Sequence, residues 1–563
     1  MMHRRFTGQV LMISALLFAL LAGPALVRGQ MHHHGGDTLG VVEFPISCGK
    51  ASQAEFNRAM TLFHHMTYPQ ARAMFLRITE RDSACAMAYW GMAMTLFQPL
   101  WPTRPGPRDL QRGWEAMEKA NSLNAPTERE RVLIAAATAF YRDPKSVDYW
   151  KRIHAWADGM EKAHAAFPDD REISALYALA LLATAPPDQV SSPNNDRAAG
   201  MLLRILKENP GHPGAMHYLI HANDVPGREH ESLEVLRAYE AIAPHNPHAL
   251  HMPTHIYTRL GNWGEVIRGN IKAAEAALEF PAGDQGQYIW DEFPHAIEYL
   301  VYAYLQMGAD DSTAGQMMRL QGTAGIEPTF KTAFHYSSTK ARYALERKEW
   351  AEASAIVPRE QGSVDWDRFP WPEAISWYAR GLGSVHQEKP AEAHASLDRL
   401  VELESRTVNA NEVLFSRHIR VLRLGLAAWL NDLERRPDSG IVLMTQAAEL
   451  EASTPKHAVT PAGTIPAHEL LGDLLFSQEK YPEATKAYER SLELNPHRFN
   501  SLWGAARASR AAERLQSAAG FYRRLLDIAD PHSRREAVQE ARVFLAGKTG
   551  GSAGQEKNNG RIQ

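Results

Sequence analysis

Several familiar signals are missing from this chain. It has only two cysteines in 563 residues, Cys48 and Cys85, and no C-x-x-C. No H-E-x-x-H, phosphate-binding G-x-x-x-x-G-K-[ST] or G-x-S-x-G elbow occurs, so the common motif routes to a hydrolase, kinase or redox enzyme are closed. Charge of one sign is not in excess: the net charge is −4, which gives no reason to expect nucleic acid or an anionic membrane as partner. Strand-type alternation is almost absent, leaving helices as the material of the fold. No stretch beyond the N-terminal region is apolar enough to span a membrane. The hydrophobic (45%) and charged (22%) fractions are those of an ordinary soluble protein.

The chain begins like an export signal. His3, Arg4 and Arg5 precede the apolar run Val10 to Ala22, and Val27 and Gly29 offer small residues for cleavage before Gln30. The run is shorter than the roughly 18–20 residues a membrane anchor needs. A signal peptide over 1–29 predicts a periplasmic or extracellular protein with no membrane span after its removal. Loss of Arg4, Arg5 and Arg28 would move the net charge from −4 to −7. Cys48 and Cys85 survive that cleavage. In an oxidising compartment they can pair and tie the N-terminal segment to the first helices; two buried thiols are the alternative.

A repeat is plainest near the C-terminus. In 465-IPAHELLGDLLFSQEKYPEATKAYERSLELNP-496, Gly472, Ala484, Tyr488 and Pro496 fall at the small, small, aromatic and proline positions of a 34-residue tetratricopeptide (TPR) unit. One period later come Ala506, Ala518 and Tyr522. Small residues let paired helices approach, the aromatic fills the gap to the next pair, and the proline stops the second helix. The same frame fits Ala59, Ala71, Phe75 and Ala93 upstream, and Pro213 and Pro247 each open a unit. The expected architecture is an all-α, TPR-type α-solenoid, a right-handed superhelix of antiparallel helix pairs with a concave groove. Its parts are a flexible leader (30–45), an N-terminal and central solenoid (46–445), C-terminal repeats (446–545) and a disordered tail (546–563). The stretches 184–196, 281–287 and 357–372 read as longer loops.

What the chain does have is histidine in register. His217 and His221 are four apart, as are His251 and His255, and the two pairs are offset by 34 residues. A spacing of four places both rings of a pair on one helix face, and one repeat of offset places the second pair on the same face of a neighbouring unit. His248, His295, Glu298, Tyr302 and His335 fall at equivalent groove-facing positions of aligned units, and His64 is groove-side in the first.

Three readings follow. The first is a transition-metal site, zinc or copper by the chemistry of imidazole. His217, His221, His251 and His255 would be ligands, with His64, His295 or Glu298 completing the set. Asp224, Tyr302, His248 and His335 would support it from behind. The second is a groove that binds an acidic or peptide ligand through imidazole hydrogen bonds, and the third is purely structural. Two repeat-registered pairs favour the first. The expected role is an exported binding protein that recognises a protein, peptide or small ligand in its groove. The alternative is a metal-dependent hydrolase or oxidase, with an open-coordination ion and Glu298 as candidate base. The loop 458-AVTPAGTIPA-467 could fold over the groove, and 98-QPLWPTRPGP-107 reads as a rigid loop.

The runs 84-ACAMAYWGMAM-94, 211-GHPGAMHYLIHAND-224, 247-PHALHMPTHIYTRLGNW-263, 295-HAIEYLVYAYLQ-306 and 456-KHAVTPAGTIPAHELLGD-473 resemble a family of exported bacterial TPR-repeat proteins with no assigned activity. The resemblance covers most of 44–545 and implies a TPR fold and a binding role. The chain carries Gln98, Glu298 and His468 where members of the family often carry His, Asp and Arg.

Overall fold

The computed structural model describes residues 39–145 and 148–552. The expected signal peptide, residues 30–38 of the leader and residues 553–563 of the tail lie outside these. The described chain is an all-α solenoid of antiparallel helix pairs, each packed on the next. Its only strands are the two-residue pair Pro281–Ala282 and Tyr288–Ile289, which closes one of the expected loops as a hairpin.

Small-residue and aromatic positions do what the repeat frame requires. Tyr488, on the helix Tyr481–Leu494, is wedged between Gly472 of its own pair and Gly504 of the next; a Cβ added at either would lie 2.6 Å or 2.4 Å from its ring. Phe75 sits against Gly91 in the same way, at 2.5 Å. Any larger residue at these glycines would push neighbouring helices apart.

Proline opens many helices, where its missing N–H costs nothing. Asn246 caps the helix Pro247–His251 by accepting from the Ala249 N–H, and the His212 ring caps Pro213–Asn223 through the Ala215 N–H. Pro253 interrupts the helical ladder between Pro247–His251 and Pro253–Leu260. The bond it cannot make is replaced by local ones, Thr254 Oγ1 donating to His251 O and His255 N to Met252 O.

Two expected boundaries look different in the structure. Within residues 39–45 of the expected leader, Val42 and Phe44 are buried, Phe44 fully, against Phe56 and Trp90. No break falls at 445, since one apolar core continues from Phe330 to Ala541, and the last helix runs from Glu536 to Ser552. Cys48 and Cys85 form a disulfide joining the segment before the helix Lys50–His64 to the start of Ala86–Phe97.

The concave side is not an open groove. Distant segments close across it: Arg104 pairs with Glu412, Lys456 with Asp224, and Trp263 Nε1 donates to His497 O. The loops around residues 100–102 and 457–459 both reach the histidines. The tryptophan–proline stretch and the loop after Lys456 thus cover the groove and turn its lining into interior.

Candidate metal centre

The two i, i+4 pairs do not meet in one four-histidine group. Each takes a third histidine from elsewhere, giving the triads His217, His221, His248 and His251, His255, His295. Within each triad, one ring nitrogen per residue lies within 4.8 Å of the others. All six rings are buried except His221, which is half-buried.

In the first triad, His217 and His221 come from Pro213–Asn223, with ring centroids 4.9 Å apart. His248 comes from the first turn of Pro247–His251, its centroid 4.9 Å from that of His217. Close approach of the helices makes this possible. Gly214 faces His64, and a Cβ there would lie 2.4 Å from His64 Nδ1. The tautomers of two rings follow from their partners. His217 Nδ1 is 2.6 Å from the carbonyl oxygen of His64, which can only accept, so the proton is on Nδ1. His248 Nδ1 donates to Glu292 at 2.8 Å. Their Nε2 atoms therefore carry lone pairs. Nε2 of His217, His221 and His248 are all buried with no hydrogen-bond partner.

The second triad shows the same logic more sharply. His251 Nδ1 donates to Asn270 Oδ1 at 2.7 Å, and that amide is oriented by its own Nδ2, which donates to Val266 O. His255 Nδ1 donates to Asp224 at 3.0 Å. Both Nε2 atoms thus present lone pairs, and they face each other at 2.9 Å. Two lone pairs at that distance repel unless a cation lies between them. The ring of His295, on Glu292–Gln306, lies 4.2 Å from that of His251 at a tilted angle, and its buried Nδ1 has no partner. The Tyr299 ring packs 4.6 Å from His251, and its buried hydroxyl is also unpaired.

Protonation is an expensive answer to this crowding. Burial, reinforced by neighbouring imidazoles, holds His217, His221, His251 and His295 well below the usual histidine range, and burial lowers His255 to about 4. The supporting carboxylates stay ionised. Burial alone would raise Glu292, but Lys331 at 2.7 Å and His248 hold it well below the carboxylate range. Asp224 is held down against its burial by Lys456, Arg259 and His255.

Other expected site residues lie elsewhere. His64 is in a separate group, its Nε2 2.9 Å from Glu172 and its Nδ1 3.0 Å from the Tyr218 hydroxyl. His212 completes that group 3.2 Å from the other Glu172 oxygen. The two histidines pull Glu172 down to about 2 against its burial. The Nε2 of His212 is nonetheless buried without a hydrogen-bond partner, so these three residues form another group able to hold an ion; His64 reaches the first triad only through its backbone carbonyl. Glu298 is in neither triad: it accepts from His335 Nδ1 at 2.5 Å, Ser338 and Arg342, which leaves it no role as ligand or free base. His335 lies next to the second triad, 4.6 Å from His295, with its Nε2 buried and unpaired. Tyr302 bonds Arg498 at 3.3 Å, outside the cluster. Asp224 does stand behind His255, as the spacing suggests. Glu292 and Asn270 are not among the residues the repeat frame marks. A Glu three residues before His295 was the one available signal, and nothing local marks Asn270.

Residues 470–533 match the tetratricopeptide repeat family. No curated protein matches the sequence. Among solved structures, the chain is similar to the APC/C hetero-tetramer Cut9-Hcn1, at 12% identity, covering 88% of this chain and 89% of that one with a TM-score of 0.30. It is also similar to the human IFIT1 dimer with m7Gppp-AAAA, at 11% identity, covering 82% and 95% with a TM-score of 0.34. The C-terminal helix pairs are tetratricopeptide repeats, a unit that implies a protein-binding or scaffold role.

Proposed function

We propose that this chain is an exported TPR-repeat protein that holds transition-metal ions, zinc or copper, in its two buried histidine triads. The observation that carries the reading is the pair of Nε2 lone pairs of His251 and His255 facing each other at 2.9 Å, with both Nδ1 protons committed elsewhere. A buried polar atom left without a partner costs about 1–3 kcal/mol, and this cluster gathers several. A divalent ion accepts those lone pairs at once. All-imidazole donors suit zinc and copper, and no thiolate competes because Cys48 and Cys85 are bonded to each other. Glu292, Asp224 and Asn270 orient the rings as carboxylates and amides behind metal-bound histidines commonly do.

Three histidines leave an ion with an open position, so a small molecule can bind. A peptide cannot reach it, because the loops at 100–102 and 457–459 lie over the rings. Partner proteins would dock on the outer helical surfaces. The Cys48–Cys85 disulfide supports an oxidising, extracytoplasmic location.

The test is elemental analysis of untagged mature protein, as purified and after dialysis with zinc or copper. Stoichiometric metal, reduced in both His217→Ala and His251→Ala, is the expected result. Protein that stays free of transition metal after reconstitution contradicts the proposal.

A further inference from the structure

Resting on the metal reading, we infer that the two triads form one dinuclear centre whose ions share a small oxygen-class anion, such as hydroxide, in the small cavity that both triads border. That cavity, of about 20 Å³, is lined by His221 and His248 of the first triad and by His255 and His295 of the second. It is large enough for one water-sized ligand and little more. The triads also touch ring to ring: His221 and His255 have centroids 6.0 Å apart, as do His248 and His251. Two ions held by sets this close fall in the regime of two-metal sites, where one atom bridges both.

Charge explains why the shared ligand is an anion. Six neutral imidazoles contribute nothing against two divalent ions. The nearby carboxylates are already neutralised in sum: Glu292 and Asp291 share Lys331, at 2.7 and 3.1 Å, while Asp224 faces two cations, Lys456 at 2.9 Å and Arg259. The ions would be the largest uncompensated charges in a dry interior, where an anionic ligand is strongly favoured.

Met66, Trp101, Val459 and a further imidazole, His457, are among the other residues of the cavity wall, and Trp101 packs 5.2 Å from the His248 ring. Met66 and Trp101 also line a cleft of about 460 Å³ carrying six basic side chains against four carboxylates. Its net positive lining draws small anions toward the Trp101 side of the histidines.

The experiment uses the full mature chain loaded with Cu(II) alone, with azide as the anion probe. We expect two coppers per chain, an electron paramagnetic resonance signal accounting for only a small part of them because a bridged pair couples magnetically, and one azide per two coppers. His248→Ala and His295→Ala should each bind one copper and restore its full signal. If either variant fails to fold, the wild-type spin count still decides. A signal equal to the copper content, one azide per copper, or a single copper per chain overturns the dinuclear centre while leaving metal binding in place. Protein that takes up no copper overturns the metal reading itself.

Discussion

The C-terminal pairs, Ala467 to Ile528, and the central helices, Pro213 to Gln306, are built on the same helix-pair plan and fill it differently. In the C-terminal stack the space between pairs is taken by one aromatic against two glycines, Tyr488 between Gly472 and Gly504. In the centre the groove-facing side of the same helices, under the loops at 100–102 and 457–459, holds imidazoles whose unpaired nitrogens make it a poor apolar core. The first arrangement is complete as it stands. The second is held by donors and carboxylates arranged around lone pairs that nothing among the described residues satisfies, the signature of a site rather than of a core.

The comparison can be broken first on its structural side. Arg498 is fully buried, bonded to Glu469, Glu346 and Tyr302. Arg498→Ala should cost about 3–5 kcal/mol by leaving two buried carboxylates without their cation. Urea unfolding should show that loss, while metal content per folded chain stays unchanged. On the site side, Glu292→Gln removes the ionised acceptor from His248 Nδ1. It should weaken metal affinity by ~10–100-fold, measured by chelator competition, with little change in secondary structure by circular dichroism.

A smaller effect comes from helix spacing. Gly214→Ala places a methyl 2.4 Å from His64 Nδ1 and forces the two helices apart, at a cost of about 1–3 kcal/mol. Because the His64 carbonyl holds His217, this variant should lower occupancy at the first triad and spare the second. A separate check is the pH response of the metal-free protein. Burial lowers His255, His386 and His418 to about 4 and His65 to about 3, each from 6.5. The unfolded chain therefore binds more protons across that window, and stability should fall as pH drops from 6.5 towards 3. Urea midpoints at a series of pH values check the sign; a midpoint that rises on acidification contradicts the burial of neutral rings.

Much of this was legible in the sequence because it is local. The 34-residue offset and the i, i+4 spacing put the four central histidines side by side, and the glycine–aromatic frame gave the stacking. What could not be read is long-range. His248 is three residues before His251 on the same helix, yet turns towards the neighbouring pair. Glu298, Tyr302 and His64 lie on the face their register assigns, but Arg342, Arg498 and Glu172 claim them, and no local pattern marks such partners. The loops at 100–102 and 457–459 are far apart in the chain and meet only after the solenoid curves, so a groove that periodicity presents as open is closed in space.

X-ray absorption spectroscopy of the zinc-loaded protein tests the central claim most directly. The account predicts a shell of nitrogen and oxygen only, with the multiple-scattering pattern of about three imidazoles per ion and no sulfur. A shell dominated by oxygen, with no imidazole pattern, would show that the ions sit on surface carboxylates and that the histidine triads hold none.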